Sequence, residues 1–107
     1  MSSEGKYIQL KTLDDLIKIV AGSPTAFIQH FPHDKKQIYF VNVIFHTGGS
    51  LVYFVVQDEK IDKKFITFNK VNGTIDFRDD IRLDANLAFI PIIEIQKQNV
   101  LPPDLIK

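Results

Sequence analysis

The sequence predicts an α+β fold in which one short N-terminal helix packs on a mainly antiparallel, curved sheet of about six to seven strands. Three observations predict this fold class. One segment has helical periodicity, several runs are rich in β-branched and aromatic residues, and short glycine-containing turns join the later runs. Short connections favour antiparallel neighbours, because a parallel crossover needs about a dozen residues or more. The predicted order is strand, helix and then strands.

The length and composition of the chain indicate one folded domain. At 107 residues the chain can build one hydrophobic core but not two, so we expect a single domain over residues 1–107. Hydrophobic residues make up 45% of the chain and charged residues 24%, as in ordinary globular proteins. We expect residues 1–5 to be a disordered start and residues 98–107, which contain two adjacent prolines, to be an extended tail.

The first predicted elements are a strand over residues 7–10 and a helix over residues 12–21. Thr12 is a suitable N-cap, and Asp15 stands three residues later at the acidic position of a capping box. Apolar residues then recur at helical spacing: Leu13, Leu16, Ile17, Val20 and Ala21. Gly22 can end the helix, and Pro24 prevents its continuation.

A strand over residues 25–31 leads to a central ribbon, residues 38–57, which the sequence predicts to turn at Gly48 and Gly49. Glycine adopts the positive φ of a two-residue hairpin turn, and such a turn places Phe45 opposite Val52. One face of the ribbon then holds Tyr39, Val41, Val43, Phe45, Val52, Phe54 and Val56. The opposite face holds Ile38, Phe40, Asn42, Ile44, Leu51, Tyr53, Val55 and Gln57.

Both faces of this predicted ribbon are largely apolar, whereas a half-solvated antiparallel ribbon alternates apolar and polar residues. A ten-residue helix is only about 15 Å long and covers part of one face. The second face therefore needs the sheet to curl on itself, the tail to fold across it, or another protein molecule to cover it. Of these we expect a partner protein, and a second copy of the chain is the simplest partner. The expected interface residues are Phe40, Asn42, Ile44, Tyr53, Val55 and Gln57. The predicted function is a non-catalytic protein-interaction module, either a homodimer or an accessory subunit of a larger complex.

The remaining strands are predicted over residues 65–69, 74–78 and 87–95. Asn72 and Gly73 form the turn of a second hairpin, in which Phe68 would face Phe77. This hairpin alternates cleanly, so we expect one of its faces to be solvated. Pro91 within the last run predicts an edge position or a bulge, because proline cannot donate to the ladder.

The charge balance bears on a second hypothesis, a protein that binds single-stranded nucleic acid. Thirteen basic residues balance thirteen acidic ones, so the basic excess of a typical duplex-binding module is absent. Lysines at one end of the sheet, with Phe40 or Tyr53 as stacking rings, would suit a single strand. The lysines in this hypothesis are Lys35, Lys36, Lys60, Lys63 and Lys64.

A third hypothesis is a small-molecule or cation site, or an enzyme. Zero cysteines remove disulfides, thiolate metal sites and cysteine nucleophiles. His30 and His33 are three residues apart, which on a strand places them on opposite faces. The aspartates of the charged connection, Asp79, Asp80 and Asp84, lack calcium-loop spacing. We therefore expect no catalytic residue, no cofactor and no metal.

No apolar run approaches the ~20 residues of a membrane span, and residues 1–6 lack the apolar stretch of a signal peptide. The expected location is therefore the cytoplasm, without a membrane partner. At the level of topology only, a helix followed by an antiparallel sheet resembles the cystatins. Their Gln-x-Val-x-Gly inhibitory motif is absent from the corresponding turn, which reads His46-Thr-Gly-Gly-Ser50, so no function is transferred from that family.

Overall fold

Over residues 6–22, 27–45, 47–81 and 84–95, which a computed structural model describes, the chain forms one helix and one seven-stranded sheet. The elements are β1 (Lys6–Gln9), α1 (Leu13–Ala21), β2 (Ile28–His33), β3 (Lys36–Ile44), β4 (Ser50–Gln57), β5 (Phe65–Asn69), β6 (Ile75–Arg78) and β7 (Leu87–Glu94). The broad prediction of an α+β fold is confirmed. The predicted disordered start and extended tail lie outside the described residues.

The sheet is mixed, so the expectation of a mainly antiparallel sheet is only partly correct. The strand order is β1-β4-β3-β2-β7-β5-β6, and the β1–β4 and β2–β7 pairs are parallel. The other four pairs are antiparallel. Connection length constrains the direction of strands that follow one another in the chain. It says nothing about strands that are distant in sequence, and both parallel pairs are of that kind.

Pro91 lies in an interior strand, so the predicted edge position or bulge is wrong. The structure tolerates this proline because its nitrogen faces a side where no hydrogen bond is needed. Ile92 donates its backbone N–H to the carbonyl of Lys64 on the β5 side, so the nitrogen of Pro91 faces β2. Pairing of β7 with β2 begins only at Ile92, among the described residues.

Helix α1 begins and ends as its sequence predicts. The hydroxyl of Thr12 accepts the N–H of Asp15 at 3.3 Å, and the N–H of Gly22 donates to the carbonyl of Ile19 at 3.3 Å. The apolar stripe of Leu13, Leu16, Ile17 and Val20 is buried. It packs on the sheet side that carries Ile28, Tyr39, Val41, Val55, Ile66 and Ile90. We call this side the helix face and the opposite side the second face.

The β3–β4 register differs from the predicted one by three residues, because Val52 pairs with Asn42 instead of Phe45. The turn is centred earlier in the chain than its predicted position at Gly48 and Gly49. Phe45 donates its N–H to the carbonyl of Gly49 at 2.8 Å, and Gly48, with φ of 97°, donates to the carbonyl of Phe45 at 3.0 Å. A shift by an odd number of residues moves a whole strand to the opposite face. Therefore the predicted faces of β4 are exchanged, and this part of the prediction is wrong.

The β5–β6 register also differs from the predicted one, but by two residues. Phe68 pairs with Ile75 instead of Phe77, and an even shift leaves each side chain on its predicted face. The expected solvated face is nevertheless only partly exposed. Thr67 is buried with 3% exposure, and its hydroxyl donates to the carbonyl of Asp76 at 3.3 Å.

The second face has a buried centre of its own. Phe31, Ile38, Phe40 and Phe54 form this cluster, and each is at most 8% exposed. Val52, Val56 and Ile95 pack against it. The apolar residues that suggested an uncovered ribbon are therefore largely shielded at the centre of the second face.

Candidate functional site

The six predicted interface residues do not share one surface. Phe40, Asn42 and Ile44 lie on the second face, whereas the β4 residues Tyr53 and Val55 lie on the helix face, as does Gln57. The odd register shift of β4 causes this separation, so the predicted six-residue surface is wrong as a single patch. Phe40 and Val55 are buried, with exposures of 3% and 2%, while Ile44 is 78% exposed.

The most exposed apolar residue of the β3–β4 hairpin lies at its tip. Among the described residues, β3 beyond Phe40 pairs with β4 alone, so the hairpin extends past the paired part of β2. Ile44 ends this extension, and Phe45 follows it with 44% exposure. Tyr7 of β1 lies at the same end of the sheet on the second face and is 39% exposed. We call Tyr7, Ile44 and Phe45 the hairpin tip.

Sequence reasoning missed two of the three tip residues. It assigned Phe45 to a core face, because the predicted two-residue turn kept that residue within the ladder. It treated Tyr7 only as the start of a strand, because nothing in the sequence indicates that β1 pairs with β4. The exposure of both residues depends on pairings between distant segments.

The five predicted nucleic-acid lysines gather at the opposite end of the sheet, and three of them pair with carboxylates. Lys36 binds Asp58, the Nζ of Lys60 lies 2.9 Å from Glu94, and the Nζ of Lys63 lies 3.3 Å from Asp79. Lys35 and Lys64 are exposed. The proposed stacking rings do not accompany them, since Phe40 is buried on the second face and Tyr53 is half-buried on the helix face.

The connection between β4 and β5, residues 58–64, crosses the ends of three strands, β3, β2 and β7. Tyr39 holds it in place by accepting the N–H of Ile61 at 2.8 Å. Beside the connection is an open cleft of about 580 Å³. Its lining consists of Lys60, Ile61, Asp62, Lys63, Lys64, Asp79, Ile92 and Glu94. We call this the crossover cleft.

A buried histidine lies next to the crossover cleft without lining it. The ring of His30 stacks on that of Tyr39 with centroids 4.7 Å apart, and its Nε2 lies 2.6 Å from Oε1 of Gln37. Its Nδ1 lies 3.7 Å from Oε2 of Glu94, the same oxygen that Lys60 contacts at 2.9 Å. His30 is only 2% exposed, so its ring is enclosed by these neighbours and cannot reach a substrate in the cleft.

The ionisable groups around the cleft stabilise one another. The hydrogen bond from Lys60 lowers the pKa of Glu94, and the same bond raises the pKa of Lys60. Burial raises the pKa of Tyr39, while the hydrogen bond from Ile61 acts in the opposite direction. None of these shifts brings a group towards neutral pH, where a general acid or base works best.

The three aspartates that the sequence offered as a cation site each contact a different residue. Asp79 accepts the N–H of Lys64 at 3.2 Å, Asp80 lies 3.4 Å from the guanidinium of Arg78, and Asp84 accepts the N–H of Asn86 at 2.9 Å. Across the described ranges, no three His, Cys, Asp or Glu side chains come together as metal ligands would. His30 belongs to the helix face, while His33 stacks on Phe31 of the second face.

Comparison with protein families and with solved structures gives no match from which to read a function. No protein-family model matches the chain. No solved structure matches its fold. Within the described residues, no helix has both the length and the apolar character that crossing a membrane requires.

Proposed function

We propose that this protein is a non-catalytic protein-interaction module, acting as a homodimer or as an accessory subunit, and that the hairpin tip is its contact surface. The observation that carries the proposal is the 78% exposure of Ile44 at the end of a strand whose central residues, Ile38 to Val41, are buried. On the second face, the exposed polar residue Asn42 separates Ile44 from the buried residues Ile38 and Phe40. Ile44 instead lies with Phe45 and Tyr7 at one end of the sheet, and an exposed apolar patch is typical of a surface that another protein covers.

The charge pattern supports this location for the interface. The chain contains no Lys, Arg, Asp or Glu from residue 37 to residue 57, the range that includes the hairpin and its tip. Interface cores are depleted of charged residues and enriched in aromatic ones, because charges lose their hydration when a partner covers them. Phe45 and Tyr7 supply the aromatic rings at this end of the sheet.

The arrangement of the crossover cleft supports a non-catalytic role. A general base or nucleophile must reach a reacting atom, and its pKa must suit that task. His30 is enclosed by Tyr39, Gln37 and Glu94, and the lysines at positions 60 and 63 are each paired with a carboxylate. These contacts hold the connection against the sheet, which is a structural task.

Replacing Ile44 with Asp tests the proposal. A charge at the centre of the contact should weaken binding by about tenfold to a hundredfold, since an apolar anchor contributes about 1–3 kcal/mol. Val71→Asp is the matched control, because Val71 is 75% exposed but lies in the β5–β6 turn. Sedimentation velocity gives the mass of each purified variant, and circular dichroism checks that each is folded.

Capture experiments from the native source, run in parallel with the wild type and both variants, address the accessory-subunit case. A self-associated or captured species that Ile44→Asp removes and Val71→Asp retains supports the proposal. A folded Ile44→Asp protein with the mass and the captured partners of the wild type would exclude the tip as the contact surface.

A further inference from the structure

Strand β6 is an edge strand of the sheet over the described residues, and its outward backbone groups pair with no other strand. Among the described residues it pairs with β5 alone. Asn69 donates its N–H to the carbonyl of Thr74 at 2.8 Å, so Thr74 faces β5. Because antiparallel ladders alternate, Ile75 and Phe77 direct their backbone groups away from β5. Such an edge is a template for another strand.

We propose that β6 pairs with β6 of a second copy of this chain, antiparallel and centred on Phe77, to form a weak dimer with one continuous sheet. This pairing is isologous, so each contact occurs twice. It sets Phe77 opposite its own counterpart, as a pair that exchanges two backbone hydrogen bonds. It also sets Asp76 opposite Arg78 of the second copy. This surface is separate from the hairpin tip, and the inference does not depend on the proposed function.

The charges of β6 are self-complementary in this register. Asp76 and Arg78 flank the central residue symmetrically, so the pairing brings opposite charges together at both ends. Both side chains lie on the second face, and directly opposed residues of an antiparallel pair share a face. A register displaced by one residue would set Asp76 opposite Phe77 and lose both ion pairs. The two ion pairs between Asp76 and Arg78 therefore favour the same register as the backbone groups of Phe77.

Among the described residues, Arg78 has no carboxylate partner at the distance of a good charged hydrogen bond. Its guanidinium nitrogens lie 3.8 Å from Asp76 and 3.4 Å from Asp80, longer than a good charged hydrogen bond. Its Nε is buried and has no hydrogen-bond partner among the described residues. A carboxylate from a second copy, placed directly across the strand pair, would give the terminal guanidinium nitrogens of Arg78 a closer partner than Asp76 or Asp80 of the same chain.

Asp76 has a local contact that the pairing would replace. Its Oδ1 accepts the N–H of Phe77 at 3.0 Å and so blocks the central donor of the edge. In the dimer, the carbonyl of Phe77 in the second copy would take this N–H, and the freed carboxylate would bind Arg78 of that copy. The ring of Phe77, 40% exposed in one chain, would pack against its counterpart.

The dimer should be weak, because β6 has only four residues. A contact of this length buries less than the roughly 1,200 Å² of a small specific interface. We therefore expect mainly monomer at low micromolar concentration and dimer as the concentration approaches about 1 mM.

Charge reversal tests the register directly. Sedimentation equilibrium of the wild type up to about 1 mM gives the dissociation constant. Asp76→Arg and Arg78→Asp each place like charges opposite one another and should weaken association at least about tenfold. The double variant, Asp76→Arg with Arg78→Asp, restores opposite charges and should return to within about threefold of the wild type. A strictly monomeric wild type, or a dimer indifferent to single reversal, would overturn the proposal.

Cysteine cross-linking provides a second measurement, because the chain has no native cysteine. Directly opposed residues in a hydrogen-bonded pair have Cα atoms about 5.5 Å apart, within the range of a disulfide. Phe77→Cys should therefore form a covalent dimer under mild oxidation, and the exposed control Val71→Cys should not. Equal cross-linking of both would overturn the proposal. So would a dimer abolished by Ile44→Asp alone, a result that instead supports contact through the hairpin tip.

Discussion

The two hairpins of this protein, β3–β4 and β5–β6, differ in what their turns do to their faces. Both registers depart from the positions that their glycines suggest. In β3–β4 the displacement is three residues, and β4 changes faces; in β5–β6 it is two residues, and every side chain keeps its face. Whether a register shifts by an odd or an even number of residues therefore matters more for which side chains are buried than where the turn lies along the chain.

In the β3–β4 hairpin, the hydrophobic pattern does not reveal that the register shift is odd, because both faces of the hairpin are apolar. Exchanging Phe54 with Tyr53 or Val55 between the faces replaces one apolar residue with another, so the hydrophobic pattern does not specify the register. In the second hairpin, the polar residues Thr67 and Asp76 share a face, and an odd displacement would move the aspartate to the helix face, which carries Ile66 and Phe68. The turn must therefore determine the register of β3–β4, whereas the side chains themselves restrict that of β5–β6.

Paired alanine substitutions should show the largest difference between the hairpins. Phe40→Ala removes a ring that is 3% exposed and should lower the free energy of unfolding by about 3–5 kcal/mol. Phe77→Ala removes a ring that is 40% exposed and should cost about 1 kcal/mol. Urea denaturation at low protein concentration measures both. Equal losses of unfolding free energy in the two variants would contradict the difference in burial between Phe40 and Phe77.

Replacing the turn glycines of the two hairpins, Gly48 and Gly73, with Asn should reveal a smaller difference in stability. The φ of Gly48 is 97°, outside the left-handed region that Asn tolerates, so Gly48→Asn should cost about 1–2 kcal/mol. The φ of Gly73 is 76°, close to that region, and Gly73→Asn should cost about 0.5 kcal/mol or less. Neither position has a heavy atom within 4 Å of an added Cβ, so backbone strain alone decides the outcome. Reversed costs in thermal unfolding would contradict this explanation.

The smallest effect should come from the ion pair in the connection between the hairpins. Lys60 lowers the pKa of Glu94 below its usual 4.5, so the pair stabilises the fold above that value and loses its effect as the pH falls through the folded-state pKa. The raised pKa of Lys60 ends the contribution at high pH, beyond 10.5. Glu94→Gln should lower the Tm at neutral pH by at most about 2 °C, because both side chains are half-exposed. The difference should shrink as the pH falls through the lowered pKa of Glu94; a difference that persists after this carboxyl is protonated would assign the effect to another contact.

Local signals made the helix predictable. The Thr12 cap, the apolar stripe from Leu13 to Val20 and the Gly22 end lie within eleven consecutive residues, and each acts through neighbours in the chain. The strands were likewise recognisable, because β-branched and aromatic runs report strand formation without reference to a partner. Sheet order was not predictable in this way. Nothing near Tyr7 or Pro91 indicates a parallel neighbour, since those neighbours lie far away in the sequence.

The candidate site was only partly predictable, for the same physical reason. Ile44 was predicted to be an interface residue because it is apolar and belongs to the second face of the predicted ribbon, and its exposure agrees with that role. The grouping of Ile44 with Val55 failed because it depended on a register. The cluster of His30, Glu94 and Lys60 had no sequence signal, because it joins three segments that meet only in the folded sheet.

The position of β7 has a consequence for how this chain folds during synthesis. β7 lies between β2 and β5, and it is the described strand that connects the half of the sheet containing the first hairpin to the half containing the second. Each hairpin can close soon after it leaves the ribosome, because its partners are near in sequence. The two halves can join only after Ile92, where β7 begins to pair with β2, has emerged, and the high contact order of that last step should make it the slow one.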